Sequence, residues 1–329
     1  MLSLEEGPGW RVAAETDALA QSVRIKKRIA MIGIGHVLCP VDFSEFSRLA
    51  LDHAGALAQW HGARLTVLHV VPNRPVMDLP SPSMTDEDRR RVTEDVRRFV
   101  SHLPPEVSVD IRVSEAPTVD RELIRQAQAL PADLLVIGSH GRSGFERLLL
   151  GSVTEKVIRN APCPTMVVPR RLAPASDEPV RFRRILCPVD FSDGSARALH
   201  YALSLAEEGS AQITLLHVIE VPPELRANPL SEGFDVDKVR AAAEADCLHQ
   251  LQQMVPKEIQ CGTVKVLVRE GAAYHEILRV AAERAADLIV MGVQGRGAVD
   301  LLVFGSNTAR VSRAATCPVL IVPRDSERG

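Results

Sequence analysis

Along the chain, short apolar runs alternate with stretches of helical periodicity. His36 to Pro40 is a compact apolar run. Arg64 to Val71 is rich in β-formers, Val107 to Val113 alternates, and Leu134 to Ile137 and Thr165 to Val168 are again continuous apolar runs. These five segments predict strands. Between the first two, Ser44 is placed to cap a helix with an apolar face of Leu49, Ala50, Ala54, Leu57 and Ala58, and Gly62 is placed to end it. After a loop containing Pro72, Pro75, Pro80 and Pro82, Thr85 and Asp88 open a charged helix to about His102. Its charged stretch from Asp86 to Arg98 reads as a solvated face. Thr118 to Leu130 and Ser152 to Asn160 predict two more helices. The order is β-α-β-α-β-α-β-α-β. Strands apolar on both faces and alternating with helices imply a parallel sheet covered on both sides.

The whole pattern then returns. Leu38-Cys39-Pro40-Val41-Asp42-Phe43-Ser44 recurs as Leu186-Cys187-Pro188-Val189-Asp190-Phe191-Ser192, and Thr66-Val67-Leu68-His69-Val70 as Thr214-Leu215-Leu216-His217-Val218. Asp133 to Gly138 recurs as Asp287 to Gly292, and Cys163-Pro164 as Cys317-Pro318. The offset grows by six between the second pair of blocks and the third, so the second copy is longer between its second and fourth strands. The chain is a duplication. Its 329 residues suffice for two ordinary domains. We expect domains at residues 34–170 and 183–324, a Pro-, Ala- and charge-rich linker at 171–182, an N-terminal extension at 1–33 and a short tail at 325–329. The extension has no counterpart in the second copy, and its residue Met31 stands just before the repeat begins.

Composition narrows the function. A net charge of −3 argues against a dedicated nucleic-acid or anionic-membrane binder. No apolar run approaches the roughly 20 residues of a membrane span. The first residues, with Glu5, Glu6, Gly7 and Pro8, lack the basic-then-apolar order of a secretory signal, so a cytoplasmic protein is expected. The six cysteines include no C-x-x-C pair. His36 and Cys39 have a metal-like spacing without a second pair to complete it, and Cys39 reads as a small buried residue on a strand.

In open parallel sheets, ligands bind beyond the carboxyl ends of the strands where the winding reverses. That directs attention to Pro40-Val41-Asp42, to Val70, and to the segment after Ile137. There the first copy reads Gly138-Ser139-His140-Gly141, then nine residues, then Gly151-Ser152. The second reads Gly292-Val293-Gln294-Gly295, then nine residues, then Gly305-Ser306. Glycines permit tight turns and close approach by a ligand. Successive amides form an anion-binding concavity. The helix starting at Ser152 or Ser306 presents unpaired N–H groups and a positive dipole end. The hydroxyls of Ser152 and Thr154 are candidate additional donors. The loops lack the Gly-Lys-Ser/Thr of a P-loop, and no G-x-G-x-x-G follows the first strand.

On these residues the chain resembles a tandem member of the universal stress protein family, of its ATP-binding subgroup, with G-x-x-G, nine residues, then G-[S/T]. The Pro-x-Asp at the end of the first strand, Pro40-Val41-Asp42 and Pro188-Val189-Asp190, is similar too. The resemblance implies ATP as ligand, with or without Mg²⁺, with Asp42 and Asp190 beside the nucleoside and Val70 and Val218 against the adenine. The implied nucleotide site comprises Pro40, Val41, Asp42, Val70, Ile137, Gly138, His140, Gly141, Arg142, Gly151, Ser152, Val153 and Thr154. In the second copy it comprises Pro188, Val189, Asp190, Val218, Met291, Gly292, Gly295, Arg296, Gly305, Ser306, Asn307 and Thr308. The resemblance further implies α/β architecture with two tandem doubly wound domains, each a five-stranded parallel sheet of order 3-2-1-4-5 with helices on both faces. The domains would join through Thr165 to Val168 against Val319 to Val322, and the tandem chain would form a homodimer.

Plainer roles stand beside these. Asp42 and Asp190 also suit a turn at a helix start, His69 and His217 suit core packing, and Arg142 and Arg296 suit either a phosphate clamp or a solvated surface. His140 has no counterpart in the second copy, where Gln294 stands. The second loop also carries Val293, Gly297, Ala298 and Asn307 in place of Ser139, Ser143, Gly144 and Val153. No residue stands out as a catalytic base for phosphoryl transfer. The leading expectation is an ATP-binding regulator in stress response, with protein partners that the sequence does not name. The alternatives are a slow ATPase or autophosphorylating enzyme, and a nucleotide-independent interaction module.

Overall fold

A computed structural model describes residues 33–73, 83–141, 150–169, 181–220, 236–256, 262–294 and 305–324. The N-terminal extension, most of the linker, and Arg142, Gly295, Arg296 and Cys261 lie outside the described residues.

The first copy forms β1 (His36–Pro40), α1 (Glu45–His61), β2 (Arg64–Pro72), α2 (Asp86–Val100), β3 (Val109–Ala116), α3 (Val119–Ala129), β4 (Leu134–Gly138), α4 (Ser152–Asn160) and β5 (Thr165–Val168). The second forms β6 (Arg184–Pro188), α5 (Asp193–Gly209), β7 (Gln212–Ile219), α6 (Val236–Met254), β8 (Thr263–Glu270), α7 (Ala273–Glu283), β9 (Leu288–Gly292), α8 (Ser306–Ala314) and β10 (Val319–Val322). The extra length of the second copy falls between β7 and β8, where α6 has 19 residues against 15 in α2. Among the described residues no helix is long and apolar enough to cross a membrane.

Local chemistry accounts for the boundaries. Ser44 caps α1 by accepting from Ser47 N, and Gly62 ends it in the left-handed region at φ 62°. Thr85 and Asp88 form a complete capping box at the start of α2. The third strand runs further than its alternating pattern predicts, to Ala116, and starts later, because Val107 N bonds Pro104 O in a turn.

All ten strands form one sheet of order β3-β2-β1-β4-β5-β10-β9-β6-β7-β8. Each half has the 3-2-1-4-5 order, parallel throughout, and the halves meet in a single antiparallel pair, Val167 opposite Val319 and Thr165 opposite Ile321. Alternate residues of the strands feed two cores. Val37, Cys39, Val136, Met166, Ile185 and Leu320 pack on one face with α1, α2, α5 and α6; Leu38, Leu135, Val167, Ile289 and Ile321 pack on the other with α3, α4, α7 and α8. Both cores run through the seam, so the two domains share their hydrophobic interior.

Side chains on both faces reinforce this seam. Phe182, 2% exposed, enters from the end of the linker with its ring 6.3 Å from that of Trp60 on α1. His61 Nδ1 lies 3.1 Å from Glu208 Oε2 on α5, and burial pushes both groups toward their neutral forms, lowering the histidine pKa and raising that of the glutamate. On the opposite face Arg313 of α8 reaches Glu155 of α4 at 3.6 Å.

His36 and Cys39 take structural roles. The imidazole bridges Leu130 O and Thr66 Oγ1, both at 2.8 Å. The Cys39 thiol is fully buried, which pushes its pKa far above the ordinary range.

Replacing Phe182 with Ala is expected to lower the unfolding free energy by about 3 to 5 kcal/mol. Urea denaturation followed by circular dichroism measures it. A loss below about 1 kcal/mol would show that the seam holds without this ring.

Candidate functional site

Each half carries a cleft at its switch point, beyond the carboxyl ends of β1 and β4 or of β6 and β9. The first has a volume of about 320 Å³ and the second about 360 Å³. The floor of the first is Pro40, Val41 and Leu68 with Ile137 and Gly138, and the corresponding residues floor the second.

The wall formed by the β1–α1 turn is built on a strained residue. Phe43 sits at φ 65° and Phe191 at φ 60°, left-handed values that are costly for a bulky side chain. Two contacts hold the turn in each copy. His69 Nδ1 donates to Val41 O at 2.7 Å and its ring packs tilted against Phe43, with centroids 4.7 Å apart. His217 does the same with Val189 O and Phe191, at 2.8 and 4.5 Å. The histidines expected in the core are therefore half-buried clamps, and His69 lines its cleft.

The strained turn directs the Asp42 carboxylate. Oδ1 accepts from Ser44 N at 3.1 Å and from Ser44 Oγ at 2.5 Å, stabilising the start of α1. Oδ2 faces the glycine turn, so close that a Cβ on Gly141 would lie 2.7 Å from it. Asp190 makes the same contacts with Ser192. The helix-start role and the cleft-facing position thus coexist in one side chain.

Opposite this wall lies the start of α4 or α8. Gly151 N bonds Ser139 O at 2.9 Å and Gly305 N bonds Val293 O at 3.1 Å, closing the segment that leaves β4 or β9 back onto the helix start. Neither helix has a side-chain cap, so the first-turn amides of Ser152, Val153 and Thr154, and of Ser306, Asn307 and Thr308, border the cleft without one. The Thr154 hydroxyl requires a correction. It is 3% exposed and donates to Gly138 O at 2.9 Å, as Thr308 does to Gly292 O, so it fastens the helix to the strand end and leaves only its amide for a ligand.

Not every glycine here is shaped for a ligand. A Cβ on Gly138 would sit 2.8 Å from Phe46 O, and one on Gly292 would sit 2.8 Å from the backbone of Gly194, so helix packing alone requires both. Gly141 is the position where bareness shapes the cleft itself, facing the Asp42 carboxylate, whereas a Cβ on Gly151 would lie 3.3 Å from the backbone of Ser139 and His140.

The structure gathers the expected residues closely. Pro40, Val41, Asp42, Val70, Ile137, Gly138, His140, Gly141, Gly151, Ser152, Val153 and Thr154 all line the first cleft. Pro188, Val189, Asp190, Val218, Met291, Gly292, Gly305, Ser306, Asn307 and Thr308 line the second. The placements of Arg142, Gly295 and Arg296 fall outside the described residues. His140 packs on Phe46 with ring centroids 5.1 Å apart; its Nδ1 meets Ser139 Oγ at 3.0 Å and its Nε2 is buried with no hydrogen-bond partner among the described residues.

The sequence reading missed the side of each cleft made by α3 or α7. Val119 and Leu123 line the first, and Ala273 and Ile277 the second. Ser47 and Ser195 were missed too, although their repeated spacing from Ser44 and Ser192 marks them: each hydroxyl approaches the amide of Asp42 or Asp190, at 3.4 and 3.3 Å. Among the described residues no group of three or more His, Cys, Asp or Glu side chains is gathered to hold a metal.

Two switch-point clefts on a duplicated, doubly wound sheet define the class: a fused pair of open α/β domains. Comparison with known proteins gives the lineage. The model of the universal stress protein family matches residues 33–169 and again 181–323, and the chain belongs to that family. A universal stress protein of Mycolicibacterium smegmatis is 28% identical over 301 residues, 87% of this chain and 96% of its own. Universal stress protein YxiE of Bacillus subtilis is 32% identical over 146 residues, 43% of this chain and 99% of its own. Among solved structures, a universal stress protein from Archaeoglobus fulgidus has a TM-score of 0.59 at 24% identity, over 88% of this chain and 98% of its own, a likeness of fold.

The glycines separate experimentally. Gly138→Ala forces a Cβ against backbone and is expected to cost about 1 to 3 kcal/mol of stability. Gly141→Ala meets only a carboxylate end and is expected to cost less than about 1 kcal/mol. Urea unfolding of the two variants checks the order, and equal losses would contradict the packing assigned to Gly138.

Proposed function

We propose that both clefts bind an adenine nucleotide, ATP in the first instance, and that occupancy makes the protein a nucleotide-dependent regulator in stress response. One observation carries this reading. In both copies an uncapped helix start and a cleft-facing aspartate converge on a switch-point cavity, which in the first copy is also bounded by the turn at Gly138 to Gly141. Uncapped amides and a helix dipole suit phosphate. The apolar floor at Val41, Val70 and Ile137 suits a base, and Asp42 suits a sugar or base donor. The volumes of both clefts fall in the range of small-molecule sites. Adenine as the base rests on family resemblance; phosphate rests on the geometry.

Regulation is preferred to turnover because the residues that converge here supply binding and charge stabilisation, and phosphoryl transfer needs an oriented nucleophile as well. A homodimer of tandem chains and a cytoplasmic location belong to the same proposal.

Purified protein, denatured and analysed by mass spectrometry, is expected to release two adenine nucleotides per chain, with negligible phosphate release on incubation with ATP. Asp42→Ala is expected to weaken one of the two sites by about tenfold or more in titration calorimetry. No nucleotide released after gentle purification and no heat on adding ATP would overturn the reading. Steady phosphate release abolished by Asp42→Ala would replace regulation by catalysis.

A further inference from the structure

The second half has a small cavity at the end of its sheet away from its cleft, by the amino ends of β6, β7 and β8. Strand register explains the lining. Arg184 lies opposite Gln212, Leu186 opposite Thr214, and Thr214 opposite Lys265, so these side chains share the sheet face that packs on α7 and α8. Leu186 is fully buried, while Arg184, Gln212 and Lys265 are exposed around it. Arg284, the C-cap of α7, lines the cavity from the helix layer.

Three cations from three separate elements thus border one cavity, and no carboxylate lines it. Among the described residues none of the three forms an ion pair. Asp287, the acid that acts on Arg184, is committed elsewhere: its oxygens accept from the amides of Arg183 and Arg184 at 2.9 Å. A helix end favours a cation such as Arg284, and an edge strand favours one such as Lys265. Neither preference accounts for their meeting Arg184 over one cavity. Their mutual repulsion is relieved by an anion between them.

The first half has closed the same place. His36, at the position of Arg184, is 6% exposed and bridges Leu130 O and Thr66 Oγ1. Leu130 is the C-cap of α3, as Arg284 is of α7. Asp110 lies opposite Thr66, where Lys265 lies opposite Thr214, and it pairs with Arg112 at 3.1 Å. In the second half the imidazole plug is absent, lysine replaces the acid, and the Thr214 hydroxyl has no hydrogen-bond partner among the described residues. The cavity measures about 40 Å³, against 320 and 360 Å³ for the clefts, which gives room for one compact anion and none for a nucleoside.

We infer that this cavity is an oxyanion site for a single phosphate group, present in the second half alone. Arg184 and Arg284 offer forked donors to its oxygens, Lys265 a third charge and Thr214 a neutral donor. The site is separate from both clefts and does not depend on their binding a nucleotide.

The test is proton–nitrogen correlation NMR of the full chain, titrated with inorganic phosphate and, separately, with sodium chloride at equal ionic strength. Phosphate is expected to shift the amides of Thr214, Lys265 and Arg284 to saturation, and chloride is not. Lys265→Asp and Arg284→Leu install the residues of the first half. Each is expected to weaken the saturation about fivefold or more, with circular dichroism confirming the fold. A parallel titration with glycerol 3-phosphate separates the sources. Saturation by the free ion alone assigns inorganic phosphate, and saturation by the ester as well assigns the phosphoryl group of a small metabolite; either result supports the site. Shifts that rise alike with phosphate and chloride without saturating, or saturation unchanged in both variants, overturn it.

Discussion

The structure depends on an edge that cannot stay exposed. Thr165 to Val168 and Val319 to Val322 are apolar strands, each paired on one side within its own half. Left open, either would present unpaired backbone groups beside an apolar surface. Pairing them antiparallel satisfies both at once, and every residue of the two strands is at most 3% exposed. The rest of the architecture follows. Fusing the sheets makes the cores on each face continuous, brings Phe182 against Trp60, and sets α4 beside α8 so that Arg313 reaches Glu155.

Within each half the cleft is a product of local constraint. A left-handed phenylalanine costs of order 1 to 2 kcal/mol. Here it is held by a histidine that bonds the preceding valine carbonyl and packs on the ring. In the first half the result is a turn that points Asp42 at Gly141. The same economy appears at Thr154 and Thr308, whose hydroxyls secure the helix start to the end of the central strand. Side chains expected to meet a ligand are in several cases those that hold the backbone where a ligand would meet it.

Much of this was legible before any coordinates. Continuous apolar runs located β1, β4 and β5 within a residue because strands buried on both faces have no other pattern. Ser44, Gly62 and Thr85 marked helix ends through capping chemistry. The duplication turned one weak glycine motif into two at the same position. Periodicity alone carries no information on which strands are neighbours, so the 3-2-1-4-5 order and the β5–β10 seam came from family resemblance. The third strand was placed too early because its face at the sheet edge is partly solvated and its polar end, Ser114 and Glu115, hides the continuation. Positive φ at Phe43 leaves no compositional trace, since phenylalanine is not a residue associated with it.

The antiparallel seam also fixes which way each cleft opens. Strands of the two halves run in opposite directions, and each cleft lies beyond its own strands' carboxyl ends. The two mouths therefore lie at opposite ends of the shared sheet. One flat surface laid against an end of the molecule covers one mouth and leaves the other open, so traffic through each entrance proceeds without steric hindrance from whatever rests on the other.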